Sequence, residues 1–470
     1  MHHRLSISPA AAFPLGIAAS LAAFATPGLT AEPAALADRP DVAALRARGP
    51  AGLDELLARY DRASPAERDT LADDIDAVAA QRYASVSRLY WFTELDRAEA
   101  EAHRLHRPIL ALRMLGDLRN DLSCANSRLF RATLYANTET SAFLRSHFVL
   151  YWSSERAVPT VTIDYGDGRK LVRTTTGNSA HYVLDEDGHV LDVLPGLYAP
   201  AVFQKELTAS LALADRVRGK TDAERVRETV AYHHAALEAT AHDFERAKDA
   251  LYVGGGQFLL DREGLTSAIQ RAQAATMSKM VIEAPDLVRI GAMDPSMVPS
   301  DDAAWAAIGQ RVWGIGAAEP IDEPVRQHGE QLAAYTAEHH ARSEHRRHPQ
   351  PRRGAPPVPP PASIVLDAAS RALVARLHNA GLADRATPAQ LAEVIARLER
   401  HIVADTALNQ FTLRQTIHGC IGGGRVEDFE TLNAWIYDQL FATPRSDAWL
   451  GLLPRTDFTG LPGDGVVIPR

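Results

Sequence analysis

The sequence predicts an α/β domain with a mixed sheet, joined to mainly α-helical regions on both sides. Two apolar runs in residues 91–212, "ILALRML" and "FVLYW", have the length and composition of buried strands. Two further stretches, "VTIDYGDGRKLV" and "HYVLDEDGHVLDVL", place Asp-Gly between alternating apolar residues, which is typical of β-hairpins. Elsewhere the apolar residues recur at helical spacing. Helices and strands that alternate in this way indicate an α/β fold.

The bulk composition is that of a soluble globular protein. Of the 470 residues, 46% are hydrophobic and 23% are charged, and the length suggests about two to four domains. The net charge of −9 excludes a general nucleic-acid binder, which would need a basic face. We therefore expect no nucleic-acid partner.

Residues 1–37 have the pattern of an export signal. A weakly basic start, "MHHRLSISP", precedes the apolar run "AAAFPLGIAASLAAFA", and small residues suit cleavage after Ala31 or Ala37. The run is short for a bilayer span, which takes about 20 apolar residues, and no later segment approaches one. We expect an exported protein, periplasmic in a Gram-negative cell, with no integral span once the signal is removed. An uncleaved anchor is the alternative.

The mature chain divides into five predicted regions. Residues 38–90 are helical, and Ser64 and Pro65 have the residue types of an N-cap and a first helical position. Residues 91–212 form the α/β domain, in which Thr93 is a predicted N-cap, and residues 213–344 are helical again, with a break at "VGGG". Residues 345–363, rich in Pro, Arg and His, indicate a flexible linker or a docking segment for a proline-recognising partner. Residues 364–470 are helical and end in a loop-rich tail.

The domain at residues 91–212 contains a cysteine in a chemically informative place. Cys124 follows the first apolar run and opens the helical pattern "CANSRLFRATLY". With Ser123 as the N-cap, Cys124 would occupy the first helical position, where backbone N–H groups and the helix dipole favour the thiolate. Arg128 and Arg131 would add positive charge close to that face. These features predict an activated thiol, and the alternative is an inert cysteine packed at a helix start.

The same residues resemble a thioredoxin-like domain. The resemblance depends on Trp91, "RPILALRMLG", Cys124 at a helix start, "SAFLRSHFVLYW" and "YVLDEDGHVLDVLPGLY" before a final helix, and it covers roughly a quarter of the chain. It implies a thioredoxin-like fold and thiol–disulfide chemistry at Cys124 without a cofactor. Its implied partners are protein or small-molecule thiols.

Two positions depart from the pattern of this family. Ser127 stands where a dithiol enzyme has its second, resolving cysteine, so "CANS" is a monothiol pattern. The cis-proline that the family places beside the cysteine corresponds to Ser179, if "HYVLDEDG" is the final hairpin. Pro159 is the other candidate for that position. Both departures weaken the dithiol hypothesis.

The remaining Cys and His residues suggest no complete site. Cys420 is a candidate second thiol or a disulfide partner for Cys124, but together with His418 it falls short of the four ligands of a structural zinc site. His233, His234 and His242 lie on one helical pattern without the spacing of metal ligands on one helix. We therefore predict neither a metal nor a cofactor.

Two functions from different classes follow. The first is an exported thioredoxin-like protein, in effect a monothiol thiol–disulfide oxidoreductase, whose Cys124 forms mixed disulfides or is oxidised. The second is a non-catalytic interaction or scaffold protein of the cell envelope, in which the thioredoxin-like domain is a binding platform. The loss of a cysteine at Ser127 favours the second function, and the helix-start position of Cys124 favours the first.

Overall fold

A computed structural model describes residues 40–174, 179–251, 302–316, 365–381, 384–441 and 443–448. The predicted signal at residues 1–37, the helix break at "VGGG", the linker at residues 345–363 and nearly all of the loop-rich tail lie outside the described residues.

A mixed four-stranded sheet lies at the centre of the α/β region. The six strands of the described chain are β1 (Ile109–Leu115), β2 (Val149–Arg156), β3 (Thr160–Asp164), β4 (Lys170–Thr174), β5 (Ser179–Leu184) and β6 (Val190–Pro195). The central sheet has the order β2-β1-β5-β6, with β1 parallel to β2 and the other pairs antiparallel. The prediction of an α/β fold with a mixed sheet between helices is confirmed at this level.

Both predicted hairpins form, but only the second joins the central sheet. Strands β5 and β6 connect through a turn at Asp187 and Gly188, and β5 pairs with β1. Strands β3 and β4 make a separate two-stranded sheet. This outer hairpin carries Val161 and Tyr165, which are the two exposed large hydrophobic residues of the described chain.

Helices surround the sheet and make up most of the described chain. They are α1 (Pro40–Ala47), α2 (Pro50–Arg62), α3 (Pro65–Ala79), α4 (Ala84–Ser87), α5 (Leu95–Leu105), α6 (Ala125–Leu129), α7 (Thr138–His147), α8 (Pro200–Val217), α9 (Asp222–Leu251), α10 (Asp302–Trp313), α11 (Ala368–His378), α12 (Pro388–Leu408), α13 (Arg414–Gly422) and α14 (Phe429–Trp435). Helices α6, α12 and α14 each continue into a π-helical turn, Phe130–Leu134, Asn409–Leu413 and Ile436–Leu440 respectively.

Helix starts test the capping predictions. Ser64 caps α3 with Pro65 in the first turn, and Glu67 accepts a hydrogen bond from the Ser64 backbone N–H at 2.8 Å, which confirms that prediction. The prediction of Thr93 as the N-cap of α5 is wrong by one residue. Glu94 occupies that position, and the Thr93 hydroxyl instead donates to the Glu94 carboxylate.

Each face of the sheet is covered by a different part of the chain. On one face, the His181 ring in β5 packs 4.6 Å from Phe130 and 4.9 Å from Phe203 of α8. The next residue, Tyr182, points to the opposite face because side chains alternate along a strand, and its ring lies 4.9 Å from Phe429 of α14. The C-terminal helices are therefore part of the packing of the α/β region.

Most of the buried hydrophobic residues form one continuous cluster, and four others, Ala132, Ala136, Leu373 and Val374, form a separate small one. The larger cluster extends from Leu53 of α2, through Leu112 of β1, to Tyr437 after α14. The described N-terminal helices, the sheet and the C-terminal helices thus share a core. Within the same described ranges, no helix combines the length and apolar character that a membrane span requires.

Candidate functional site

The loop after β1 positions Cys124. Gly116 begins the loop with a φ of +82°, a conformation that favours glycine, and a Cβ atom there would lie 3.3 Å from the Ser123 Cα. At the other end of the loop, the backbone N–H of Cys124 donates to the Leu115 carbonyl at 3.2 Å. Cys124 is therefore held next to the carboxyl end of β1, at the edge of the sheet.

The helix begins one residue later than predicted. Cys124 is the N-cap of α6, with a φ of −57° and a ψ of 155°, and Ala125 is the first helical residue. Ser123 lies one position before the cap, where its hydroxyl accepts hydrogen bonds from Ser127 at 2.7 Å and Arg131 at 3.2 Å. The prediction of Ser123 as the N-cap is thus wrong, and its hydroxyl takes part in these side-chain contacts instead of capping the helix.

Two serines contact the thiol of Cys124. The Sγ atom lies 3.4 Å from Ser127 Oγ, to which it can donate, and 3.0 Å from Ser179 Oγ. Ser127 in turn donates to the Cys124 carbonyl at 2.8 Å. Ser179 is the first residue of β5, and Pro159 precedes β3 of the separate hairpin. No cis peptide bond occurs in the part of the chain that the structure describes.

The thiol is enclosed by protein. Cys124, Ser127 and Ser179 are each 0% exposed. Tyr437, in the π-helical turn after α14, is buried as well and lies close enough to Cys124 for an electrostatic interaction. Buried Tyr135 and Arg131 also interact electrostatically with Cys124, so the surroundings of the thiol include both the α/β region and the C-terminal region. Complete burial is the property that the packed-cysteine alternative predicts.

The two arginines named from the sequence bind different segments. Arg131 contacts the loop before Cys124, and Arg128 contacts the outer hairpin. Arg131 is buried, and its guanidinium donates to the carbonyls of Leu118 at 2.7 Å and Asn120 at 2.8 Å. Burial lowers the pKa of Arg131 from its ordinary value. Arg128 donates to Thr174 Oγ1 of β4 at 2.7 Å. Arg131 therefore organises the backbone that leads into Cys124.

Cys420 lies in another part of the fold. It is half-buried on α13, a helix that packs against α9, and Arg425 hydrogen-bonds to it. Both cysteines are in the reduced form, so no disulfide joins Cys124 to Cys420. The bridged alternative is not the arrangement in this structure.

No sequence pattern pointed to His181, which lies on the same strand, β5, as Ser179. Its Nε2 atom is 2.7 Å from the Tyr135 hydroxyl, and the imidazole is completely buried. Burial lowers the pKa of His181 to about 3, so the ring is neutral at physiological pH. The alternation of residues along the strand could have predicted that His181 faces inward. It could not have predicted that Tyr135 is its partner.

A second buried polar cluster lies where the sheet meets the helical region. Asp192 of β6 accepts hydrogen bonds through Oδ2 from Ser210 at 2.7 Å, Tyr232 at 2.9 Å and Arg414 at 2.7 Å. Burial acts to raise the pKa of Asp192, but the positive charge of Arg414 outweighs it and holds the pKa below its usual range. This ion pair is fully buried on both sides.

Two histidines complete this cluster. His233 Nδ1 of α9 lies 2.7 Å from His418 Nδ1 of α13, and His233 Nε2 lies 2.9 Å from the Leu191 carbonyl. Burial lowers the pKa of both imidazoles. The neighbouring His234, also named from the sequence, is exposed, as is His242. An aspartate inside the apolar strand "VLDVLP" is the one sequence signal that could have pointed to this cluster.

A scan against protein-family models, a search of curated proteins and a search of solved structures each found no match to this chain. The functional interpretation therefore depends on the geometry around Cys124 and on that of the cluster of Asp192, His233 and His418.

Proposed function

We propose that the chain is an exported interaction protein whose thioredoxin-like domain is a non-catalytic platform for the surrounding helices. The observation that carries this proposal is the complete burial of Cys124 in the folded chain. In this proposal Cys124 is a packing and hydrogen-bonding residue.

Three features support a thioredoxin-like origin of the domain. The parallel pair β1 and β2 is followed by the antiparallel pair β5 and β6 in the order expected from the resemblance. Cys124 starts the helix after β1. Ser179 lies at the start of β5 with its hydroxyl 3.0 Å from the thiol, as expected of the candidate cis-proline position that the resemblance suggests.

Thiol–disulfide exchange needs two things that this site lacks. The attacking sulfur must reach a disulfide of the partner, so it needs an open approach, and Cys124 is 0% exposed. Unless an outside thiol releases the partner, the mixed disulfide must then be resolved by a second thiol in the site. Ser127 offers only a hydroxyl, which does not exchange with disulfides.

The chain itself covers one face of the central sheet. Asn433 of α14 accepts a hydrogen bond from the Tyr182 hydroxyl at 2.9 Å and donates to Glu155 at 2.9 Å. Arg113 of β1 forms an ion pair with Glu430. A helix held by side-chain contacts to both β1 and β5 leaves no room there for a substrate protein.

An interaction role also needs an exposed surface, and the hairpin of β3 and β4 provides one. It pairs with no strand of the central sheet, and it carries the exposed Val161 and Tyr165. A two-stranded hairpin gains little stability by itself, so its retention is consistent with a role at the surface.

The thiol chemistry remains the second candidate, favoured by the position of Cys124 at a helix N-terminus. It would require the protein around the buried Cys124 to open. The two functions therefore differ in whether Cys124 reacts in the native protein.

Alkylation of single-thiol variants separates the two functions. We expect the Cys420→Ser variant, which retains only Cys124, to react with iodoacetamide no faster than the protein unfolds. The Cys124→Ser variant is the matched control, because its half-buried Cys420 should be labelled in the native state. In guanidinium chloride both thiols should react equally fast. Native labelling of Cys124 as fast as that of Cys420 would refute the platform proposal in favour of the redox one.

The proposal that the protein is exported can be tested by locating the start of the mature chain. Amino-terminal sequencing of the mature protein from the producing cell should start at Glu32 or Asp38, the residues after the two predicted cleavage positions. A mature chain that still starts at Met1 would contradict cleavage.

A further inference from the structure

We propose that Asp192, His233 and His418 form a buried binding site for a divalent transition-metal ion of the zinc type. One ligand atom from each residue can be chosen so that all of them lie within 4.8 Å of one another, and all three residues are buried. They come from β6, α9 and α13, so the site is assembled only in the folded chain.

His233 has the hydrogen bond that orients a metal ligand. A carbonyl can only accept, so His233 Nε2 must donate its proton to Leu191 at 2.9 Å. In the neutral ring this leaves a lone pair on Nδ1, directed into the cluster. Histidine ligands of metals usually donate their other N–H to a carbonyl or carboxylate in this way, which fixes the tautomer and the ring orientation.

The two imidazoles converge through the same kind of atom. His233 Nδ1 and His418 Nδ1 are 2.7 Å apart, so without a metal His418 donates its Nδ1 proton to His233. Two nitrogens bound to a tetrahedral zinc ion at about 2.0–2.1 Å would be roughly 3.3 Å apart. The rings must therefore separate by about 0.6 Å on binding, and the His418 proton moves to Nε2, so that no proton is lost.

The Oδ1 atom of Asp192 can still act as a metal ligand. Its Oδ2 atom already accepts from three side chains, whereas Oδ1 accepts from the backbone N–H of Val193 at 2.8 Å. A carboxylate oxygen has two lone pairs, so Oδ1 keeps one for a metal. The donors on Oδ2 would orient the carboxylate, as outer-shell partners do in metal sites.

The charge of the cluster favours a cation. Arg414 lies between Asp192 and Glu206, with a distance of 2.7 Å to each carboxylate, so two buried or nearly buried carboxylates face one guanidinium. Lys205 is 3.9 Å from Glu206, but its side chain is 61% exposed and therefore screened by solvent. Two imidazoles and one carboxylate suit zinc and its neighbours better than calcium or magnesium, which prefer oxygen ligands.

Metal binding to the full-length protein tests the site. We expect chelator-treated wild-type protein to bind one equivalent of Co²⁺ with visible absorption bands, and Zn²⁺ to displace it. His233→Gln and His418→Gln should each weaken binding by at least about 10-fold. His234→Gln is the matched control, because this neighbouring histidine is exposed, and it should bind like wild type.

Other histidines and misfolding are controlled separately. His339, His340, His345 and His348 flank the proline-rich tract, so a variant with these four residues changed to Gln should keep the Co²⁺ bands. If a ligand variant fails to fold by circular dichroism, X-ray absorption of zinc-loaded wild-type protein decides. A shell with two imidazole nitrogens supports the proposal. Wild-type protein that binds no equivalent, a shell of oxygens alone, or equal binding in folded ligand variants overturns it.

Discussion

At the scale of single residues, the buried imidazole of His181 makes stability depend on pH. Burial lowers its pKa to about 3, whereas an unfolded histidine has a pKa near 6.5. A base with a depressed pKa in the folded state stabilises the fold above the unfolded pKa, and this contribution is lost as pH falls. His181 alone should lower the free energy of unfolding by about 2 kcal/mol between pH 7 and pH 5. Urea unfolding across that range measures it.

A variant without the titrating ring isolates this effect. His181→Gln should show a shallower fall in the free energy of unfolding between pH 7 and pH 5, and exposed His234→Gln should fall as wild type does. His233 and His418 have lowered pKa values too, so some fall with pH should remain in His181→Gln. Equal slopes in His181→Gln and wild type would show that His181 does not titrate as expected.

At the scale of helices, α1 and α2 are in backbone contact at Gly52. A Cβ atom at Gly52 would lie only 2.0 Å from the Leu45 carbonyl oxygen, so one of the two helices must shift to accommodate it. We expect Gly52→Ala to lower the free energy of unfolding by about 1–3 kcal/mol, as overpacking does elsewhere. Thermal or urea unfolding gives the value.

Helix α13 provides the opposite case. Nothing lies within 4 Å of the position that a Cβ atom would take at Gly419, which is inside this helix. Gly419→Ala should therefore stabilise the protein by about 0.5–1 kcal/mol, because alanine has the better helix propensity. A Gly52→Ala protein as stable as Gly419→Ala would contradict the close contact of α1 and α2.

The π-helical turn after α14 should control access to Cys124. Tyr437 is fully buried and interacts electrostatically with Cys124, so Tyr437→Ala should loosen the packing around the thiol, and we expect iodoacetamide to label Cys124 at least about 10-fold faster in the Cys420→Ser background. Tyr165→Ala, which removes an exposed ring of the outer hairpin, should leave the rate unchanged. Unchanged labelling in Tyr437→Ala would mean that other residues close the site.

At the scale of the whole molecule, the shared core predicts that the α/β region needs the C-terminal helices. Phe429 packs on Tyr182 of the central sheet, and Arg113 and Glu155 have their partners in the same C-terminal region. A fragment of residues 40–217 should expose this apolar face and bind the dye ANS, which the full-length protein should not. A fragment that unfolds cooperatively without binding the dye would indicate an autonomous domain.

Local signals explain which parts of this fold could be predicted. The Asp-Gly turns, the apolar strand β1 and the cap at Ser64 each depend on neighbours within a few residues, so the sequence displays them directly. Helix α6 starts one residue later than its local pattern predicts. Ser123, the predicted cap, is hydrogen-bonded to Arg131, eight residues away. Helix boundaries of this kind depend on contacts that a local pattern does not contain.

The parts that could not be predicted involve distant segments. His233 and His418 are 185 residues apart, and only the packing of α9 against α13 brings them together. Cys124 and Ser179 are likewise 55 residues apart, and the pairing of β1 with β5 brings them together. Spacing within one helix could therefore not reveal either buried site.

The proximity of Ser127 to Cys124 means that one substitution could add a second thiol beside the first. The two side-chain atoms are already 3.4 Å apart, in the arrangement C-x-x-S at a helix start. Exchanging one oxygen for sulfur, as Ser127→Cys does, would place two thiols where a modest rotation brings them to bonding distance. A single substitution would thus give this chain an internal redox couple, because the loop and the helix start that hold the two side chains are already in place.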